Sequence, residues 1–192
     1  CFLWTDAVTH GEEMTAIEHG IQGVEQLETR IKFIWNYAGN TMINQHSDSF
    51  RTKEILEDET LCEFILVHDV QMTPSAMFAD ILLPDIMDLE QHDIVGNGGT
   101  GMETIIAMTS SLVPTFECKS AFDVCSGIAR EMGVEAEFTE GKTYQEWVEE
   151  VYETSRQKNA QLPAYQDMCD KGIAKLSRPQ GEPALAAFVN DP

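Results

Sequence analysis

Basic side chains are scarce in this sequence: 12 Lys and Arg stand against 33 Asp and Glu, a net charge of −21 over 192 residues. So acidic a surface repels phosphate backbones and anionic headgroups, which argues against nucleic-acid binding and leaves any bound phosphate to backbone amides and neutral donors. Long apolar runs are missing too. None approaches the ~20 residues that cross a bilayer as a helix. The opening Cys1-Phe2-Leu3-Trp4-Thr5-Asp6 lacks the basic-then-apolar order of a signal peptide, and the chain reads as an internal piece of a longer one. The five cysteines, Cys1, Cys62, Cys118, Cys125 and Cys169, include no Cys-x-x-Cys pair. They encode neither a zinc site nor an iron–sulfur cluster locally and read as reduced thiols, Cys62 and Cys125 as small core residues. No Ser/His/Asp or Cys/His set falls at a catalytic spacing, and His10 and His19 read as solvated surface. No catalytic residue and no metal ligand is assigned.

What is present is a strand–turn–helix series. Ile31 to Tyr37 is apolar and rich in β-branched and aromatic residues, which predicts a strand buried on both faces of a parallel sheet. Gly39-Asn40 then tolerates positive φ, and Asp48 to Glu59 is long enough for a crossover helix with a carboxylate in its first turn. Glu63 to Asp69 is a second buried-strand pattern. A stretch of helical character from Pro74 to Phe78 leads to a third short run, Ala79 to Pro84. Strand, helix, strand, helix, strand is the order of an α/β fold with a parallel sheet, whose ligands gather at the carboxyl ends of the strands. There Gly39-Asn40 is either a binding turn or an ordinary one, and Asp69 either accepts hydrogen bonds from a ligand or merely caps a turn. Asp80, inside the third run, reads as structural.

Gly96-Asn97-Gly98-Gly99-Thr100-Gly101 matches the glycine spacing of a dinucleotide fingerprint, but Met102 to Met108 is β-rich rather than helical. Without a helix N-terminus the motif loses its mechanism and reads as a loop. Further on, His10 to Met14 reads as the opening of a helix, and Ala121 to Met132 has a helical stripe stopped by Gly133. Thr143 with Glu146 forms a capping-box pattern ahead of a helix to Ser155, and a short helix ends near Gly172. The tail, with Pro179, Gly181, Pro183 and Pro192, reads as an extended connector.

The series Trp35-Asn36-Tyr37-Ala38-Gly39-Asn40, His68-Asp69, Met72-Thr73, Ala79-Asp80-Ile81-Leu82-Leu83-Pro84 and Glu90 resembles the molybdopterin oxidoreductase family, from about Phe2 to the end of the chain. The resemblance implies a Rossmann-like parallel sheet flanked by helices, with an irregular insertion and an extended C-terminal tail. Residues 1–30 would be a lead-in, 31–175 a molybdopterin guanine dinucleotide-binding domain with a loop excursion at about 88–115, and 176–192 a connector towards a C-terminal domain. It implies cofactor contacts at Gly39, Asn40, Asn44, His68, Asp69 and Thr73, Asp69 accepting from guanosine. Proline usual after the asparagine is Thr41 here, which predicts a less rigid loop.

For the intact enzyme the resemblance implies oxygen-atom transfer to dimethyl sulfoxide or a related S-oxide, N-oxide or oxyanion in bacterial anaerobic respiration. Its molybdenum would be held by two molybdopterin guanine dinucleotides, with a 4Fe-4S cluster bound by segments outside this chain. An iron–sulfur electron-transfer subunit and a membrane anchor subunit are implied as partners, with a periplasmic or membrane-associated location through them. The isolated piece is expected to be inactive. The alternatives are a freestanding α/β nucleotide- or phosphate-binding module without redox chemistry, and an acidic interaction domain for a basic partner.

Overall fold

The apolar run from Phe64 to Asp69 becomes the central strand of a sheet, as its composition requires. A computed structural model of the chain describes residues 4–45, 48–96, 104–108, 112–176, 185 and 188, with backbone alone at 104–108. Contacts divide the chain into two units, residues 1–86 with 115–121 and residues 87–114 with 122–192.

In the first unit, β1 (Phe33–Tyr37), β2 (Phe64–Asp69) and β3 (Ile81–Pro84) form a parallel sheet in that order, with Tyr37 opposite His68 and Asp69 opposite Pro84. The helices of this unit are α1 (Trp4–Thr9), α2 (Ala16–His19), α3 (Thr41–Asn44) and α4 (Ser49–Glu57). The crossover from β1 to β2 runs through α4. Asp48 caps it, Oδ1 accepting from Arg51 N at 3.0 Å, and its buried residues Thr52, Ile55 and Leu56 follow the spacing of a single helical face. From β2 to β3 the chain passes through a 3-10 turn over Ser75–Phe78. Val8, Met42, Ile55, Leu56, Cys62, Ile65, Val67 and Ala76 make the core.

β2 is buried from Ile65 to His68, but β1 is not buried on both faces. It lies at the edge of the sheet, and Phe33 and Tyr37 are about half exposed, their rings tilted against Phe64 and His68. Asp80 stands just before β3 rather than within it, accepting from Ile65 N at 2.7 Å while its own N–H bonds Ile65 O. At the start of the chain, α1 forms where no helix was read. His10 to Met14 gives only a 3-10 turn over Gly11–Glu13, and α2 ends at Gly20 in the left-handed region.

The second unit holds β4 (Asp93–Gly96), β5 (Thr104–Met108) and β6 (Ile173–Lys175) in an antiparallel sheet. The sequence reading has β4 as part of a wandering loop and leaves β6 out. The glycine loop at 97–103 and the tail from 177, apart from Leu185 and Phe188, lie outside the described residues, as does Cys1. The helices of this unit are α5 (Ala121–Glu131), α6 (Glu135–Thr139), α7 (Tyr144–Lys158) and α8 (Tyr165–Lys171). The capping box of α7 is formed: Thr143 Oγ1 receives Glu146 N, and Glu146 Oε2 receives Thr143 N at 2.7 Å. Val148, Tyr152, Leu162, Tyr165 and Met168 are the core here, and Tyr152 donates its hydroxyl to Pro163 O at 2.8 Å. Cys62, Cys118, Cys125 and Cys169 are free thiols. Among the described residues no helix is long and apolar enough to cross a membrane.

Candidate functional site

The last ladder bond of β1 decides where the turn after it begins. Ala38 N still donates to His68 O at 2.9 Å, and the chain must then leave the sheet at once. The positive φ therefore falls on Ala38 (47°) rather than on Gly39 or Asn40, whose φ is −97°. A left-handed alanine stores about 1 kcal/mol of strain, and such residues persist where the surroundings over-determine them.

Those surroundings are polar, and of them Asn36 is buried. Asn36, on β1, donates Nδ2 to Gly39 O at 2.6 Å and accepts at Oδ1 from Thr41 Oγ1 at 2.8 Å. The threonine that was expected to loosen the loop thus ties it back to the strand through a hydroxyl that proline lacks. Asn40 precedes α3, and its Oδ1 accepts from both Ser75 N at 2.9 Å and Ser75 Oγ at 2.8 Å. Asn44 is exposed at the end of α3.

The carboxyl end of β2 supplies the other half. His68 is wholly buried, its ring against Trp35 and Tyr37, with Nε2 3.1 Å from Lys119 O and 3.4 Å from Asp85 Oδ1. It holds the segment around Lys119 and Asp85 against the strand, and its Nδ1 is buried without a partner. Asp69 is half-buried. Its Oδ1 accepts from Gln71 N at 3.1 Å, and with Val67, Gln71, Met72 and Leu83 it borders a cleft of about 240 Å³. Thr73 Oγ1 accepts from Ala76 N at 3.2 Å, so its own O–H remains to donate.

Of the six expected site residues, Asn40 is tied through Ser75 to the segment that carries Thr73, Gly39 is held by Asn36, and His68 is bonded to the turn through its carbonyl. Asp69 follows His68 at the strand end. Sequence reasoning missed the roles of Asn36, Thr41, Ser75 and Asp85: Ser75 and Asp85 act on Asn40 and His68 from farther along the chain, whereas Asn36 and Thr41 bond one another across the turn. The only cue was polar side chains inside apolar segments.

A larger cavity of about 790 Å³ lies at the opposite end of the sheet, bordered by Glu57, Glu59, Glu63 and Asp80 with Lys53. Its acids repel an anionic ligand. Among the described residues no group of three or more His, Cys, Asp or Glu side chains is placed to hold a metal ion.

The molybdopterin oxidoreductase family matches residues 3–131, and the chain belongs to that family. Dimethyl sulfoxide reductase DmsA of Escherichia coli (strain K12) is 46% identical over 193 residues, covering 100% of this chain and 24% of that protein. Dimethyl sulfoxide/trimethylamine N-oxide reductase of Cereibacter sphaeroides is 31% identical over 162 residues, covering 81% of this chain and 19% of its own length. Among solved structures, acetylene hydratase from Pelobacter acetylenicus shares the fold at a TM-score of 0.61 and 18% identity, over 92% of this chain and 21% of its own. The chain thus spans about a quarter, or less, of the length of these relatives. Membership implies a molybdenum–pterin cofactor.

Proposed function

We propose that the chain supplies part of the molybdopterin guanine dinucleotide site in the catalytic subunit of a molybdenum-dependent oxidoreductase. The intact enzyme reduces dimethyl sulfoxide or a related S-oxide, N-oxide or oxyanion. The observation that carries this reading is the tie between the Gly39 to Asn44 turn and the 68–75 segment beyond the carboxyl ends of two parallel strands, where α/β sheets receive nucleotides. The residues there fit the nucleotide end of the cofactor: neutral donors for phosphate oxygens at Asn40, Asn44 and Thr73, and a carboxylate acceptor at Asp69 for the N–H groups of a guanine or the hydroxyls of a ribose.

When bound, the molybdenum–pterin group supplies the two-electron oxygen transfer. The residues of this chain bind and orient. Gly39 leaves room for the Thr41 side chain in the turn, since a Cβ there would stand 3.3 Å from Thr41 Cγ2. Asp69 accepts with the oxygen that Gln71 leaves open, and His68 acts from behind the site by fixing the end of β2. The remaining domains of the subunit complete the site and bind the 4Fe-4S cluster. An iron–sulfur electron-transfer subunit and a membrane anchor subunit are the proposed partners, giving a periplasmic or membrane-associated location.

The test is the nucleotide content of the full-length protein. Acid hydrolysis is expected to release guanosine monophosphate in proportion to molybdenum, and release of molybdenum with no guanine nucleotide would contradict the reading.

A further inference from the structure

We propose that Ser75 is a positioning residue that fixes which face of Asn40 the cofactor meets, an inference that rests on the dinucleotide reading above. The hydrogen-bond polarity at this point leaves one solution. A backbone N–H can only donate, so the Asn40 atom facing Ser75 N at 2.9 Å is the carbonyl oxygen Oδ1. Ile43 N likewise can only donate, and it points at Ser75 Oγ at 3.3 Å, so the serine hydroxyl accepts there and spends its proton on Asn40 Oδ1 at 2.8 Å. The chain of bonds runs from Ile43 N–H to Ser75 Oγ to Asn40 Oδ1, with Ser75 N–H arriving at the same oxygen.

Both donors of Ser75 therefore occupy the acceptor half of the Asn40 carboxamide. What Asn40 presents outward is its Nδ2 amide, a neutral donor suited to an acceptor oxygen such as that of a pyrophosphate. In a chain of net charge −21, a donor that carries no charge and is locked in orientation compensates for the shortage of basic side chains. Ser75 is itself wholly buried and cannot touch the ligand, so its effect passes entirely through Asn40 and through α3, which Ile43 ties to the same hydroxyl.

Four forms of the full-length protein test this: wild type, Ser75→Ala, Ser75→Thr and Asn40→Asp. Each is compared for guanine nucleotide retained per protein and for amide exchange of residues 39–44. Ser75→Ala is expected to lose about tenfold in nucleotide retention and to speed exchange in the turn, the scale of one buried hydrogen bond. Ser75→Thr, which keeps the hydroxyl, is expected to restore both. Asn40→Asp keeps an oxygen for Ser75 but replaces the outward donor with a charged acceptor, so nucleotide retention is expected to fall at least as far while the turn stays protected. Wild-type retention in Asn40→Asp or in Ser75→Ala would overturn the inference and leave the cofactor reading intact. So would Ser75→Thr behaving like Ser75→Ala. A wild-type protein that carries no guanine nucleotide would overturn both.

Discussion

Ala38 and Asp69 illustrate how much single residues carry. Ala38 sits at φ 47° because its N–H closes the ladder with His68 O just before the turn. Ala38→Gly removes the steric cost of that conformation and is expected to stabilise the fold by about 1 kcal/mol, measured as slower amide exchange in β1 and the turn. At Asp69 the substitution to Asn preserves an oxygen for Gln71 N but turns the open acceptor into a donor. Guanine nucleotide retained by the full-length protein is then expected to drop about tenfold or more, with local exchange unchanged. The sequence points one residue too far along for the strained position because glycine is the usual sign of positive φ. The spatial cause, a hydrogen bond to a residue thirty places on, leaves no local mark. Gly39, Asn40 and Asp69 are visible as polar stops at the ends of apolar runs. Ser75 is not, since it lies within the stretch from Pro74 to Phe78 that reads only as helical.

At the scale of elements, periodicity and capping are readable where they are local. The Thr143 and Glu146 pair announces α7, and the hydrogen bonds from the Thr143 N–H and hydroxyl hold the Glu146 carboxyl below the usual glutamate range. A carboxyl so depressed stabilises the folded state above its ordinary value of ~4.3, and that contribution is lost as pH falls through the lower folded value. Glu146→Gln is expected to remove this dependence, read as the difference from wild type in amide exchange of the first turn of α7 across the acid range. In the same unit, burial pushes the Tyr165 phenol up to about 12, aided by Cys169 beside it. The stabilisation it brings is complete below the ordinary tyrosine value of ~10 and fades as pH rises towards 12. Ultraviolet titration of wild type against Tyr165→Phe is expected to show the missing phenol as the late-ionising one. The strands β4 and β6 escape sequence reading for a physical reason: each is three or four residues long and owes its conformation to pairing with β5. β1 is misjudged for a related one, since an aromatic-rich run looks alike at the centre of a sheet and at its edge.

Over the whole molecule, composition narrows the classes and the motif order fixes the family. Acidity argues against a nucleic-acid ligand, and the βαβ series from Phe33 to Pro84 is what the family reading and the structure share. The division into two units is not written in any linker-like composition, because residues 115–121 return to the first unit from within the second. Since the chain covers about a quarter of DmsA, the proposed chemistry belongs to the complete subunit. The isolated chain, supplied with dimethyl sulfoxide and a reduced viologen dye, is expected to show no turnover.

In the proposed site the turn after β1 and the end of β2 face the guanine dinucleotide. Hydrogen–deuterium exchange of the full-length protein, prepared with and without its molybdenum–pterin group, tests it most directly. The bound group is expected to slow exchange at residues 39–44 and 69–73. Exchange there that is the same in both preparations would contradict it.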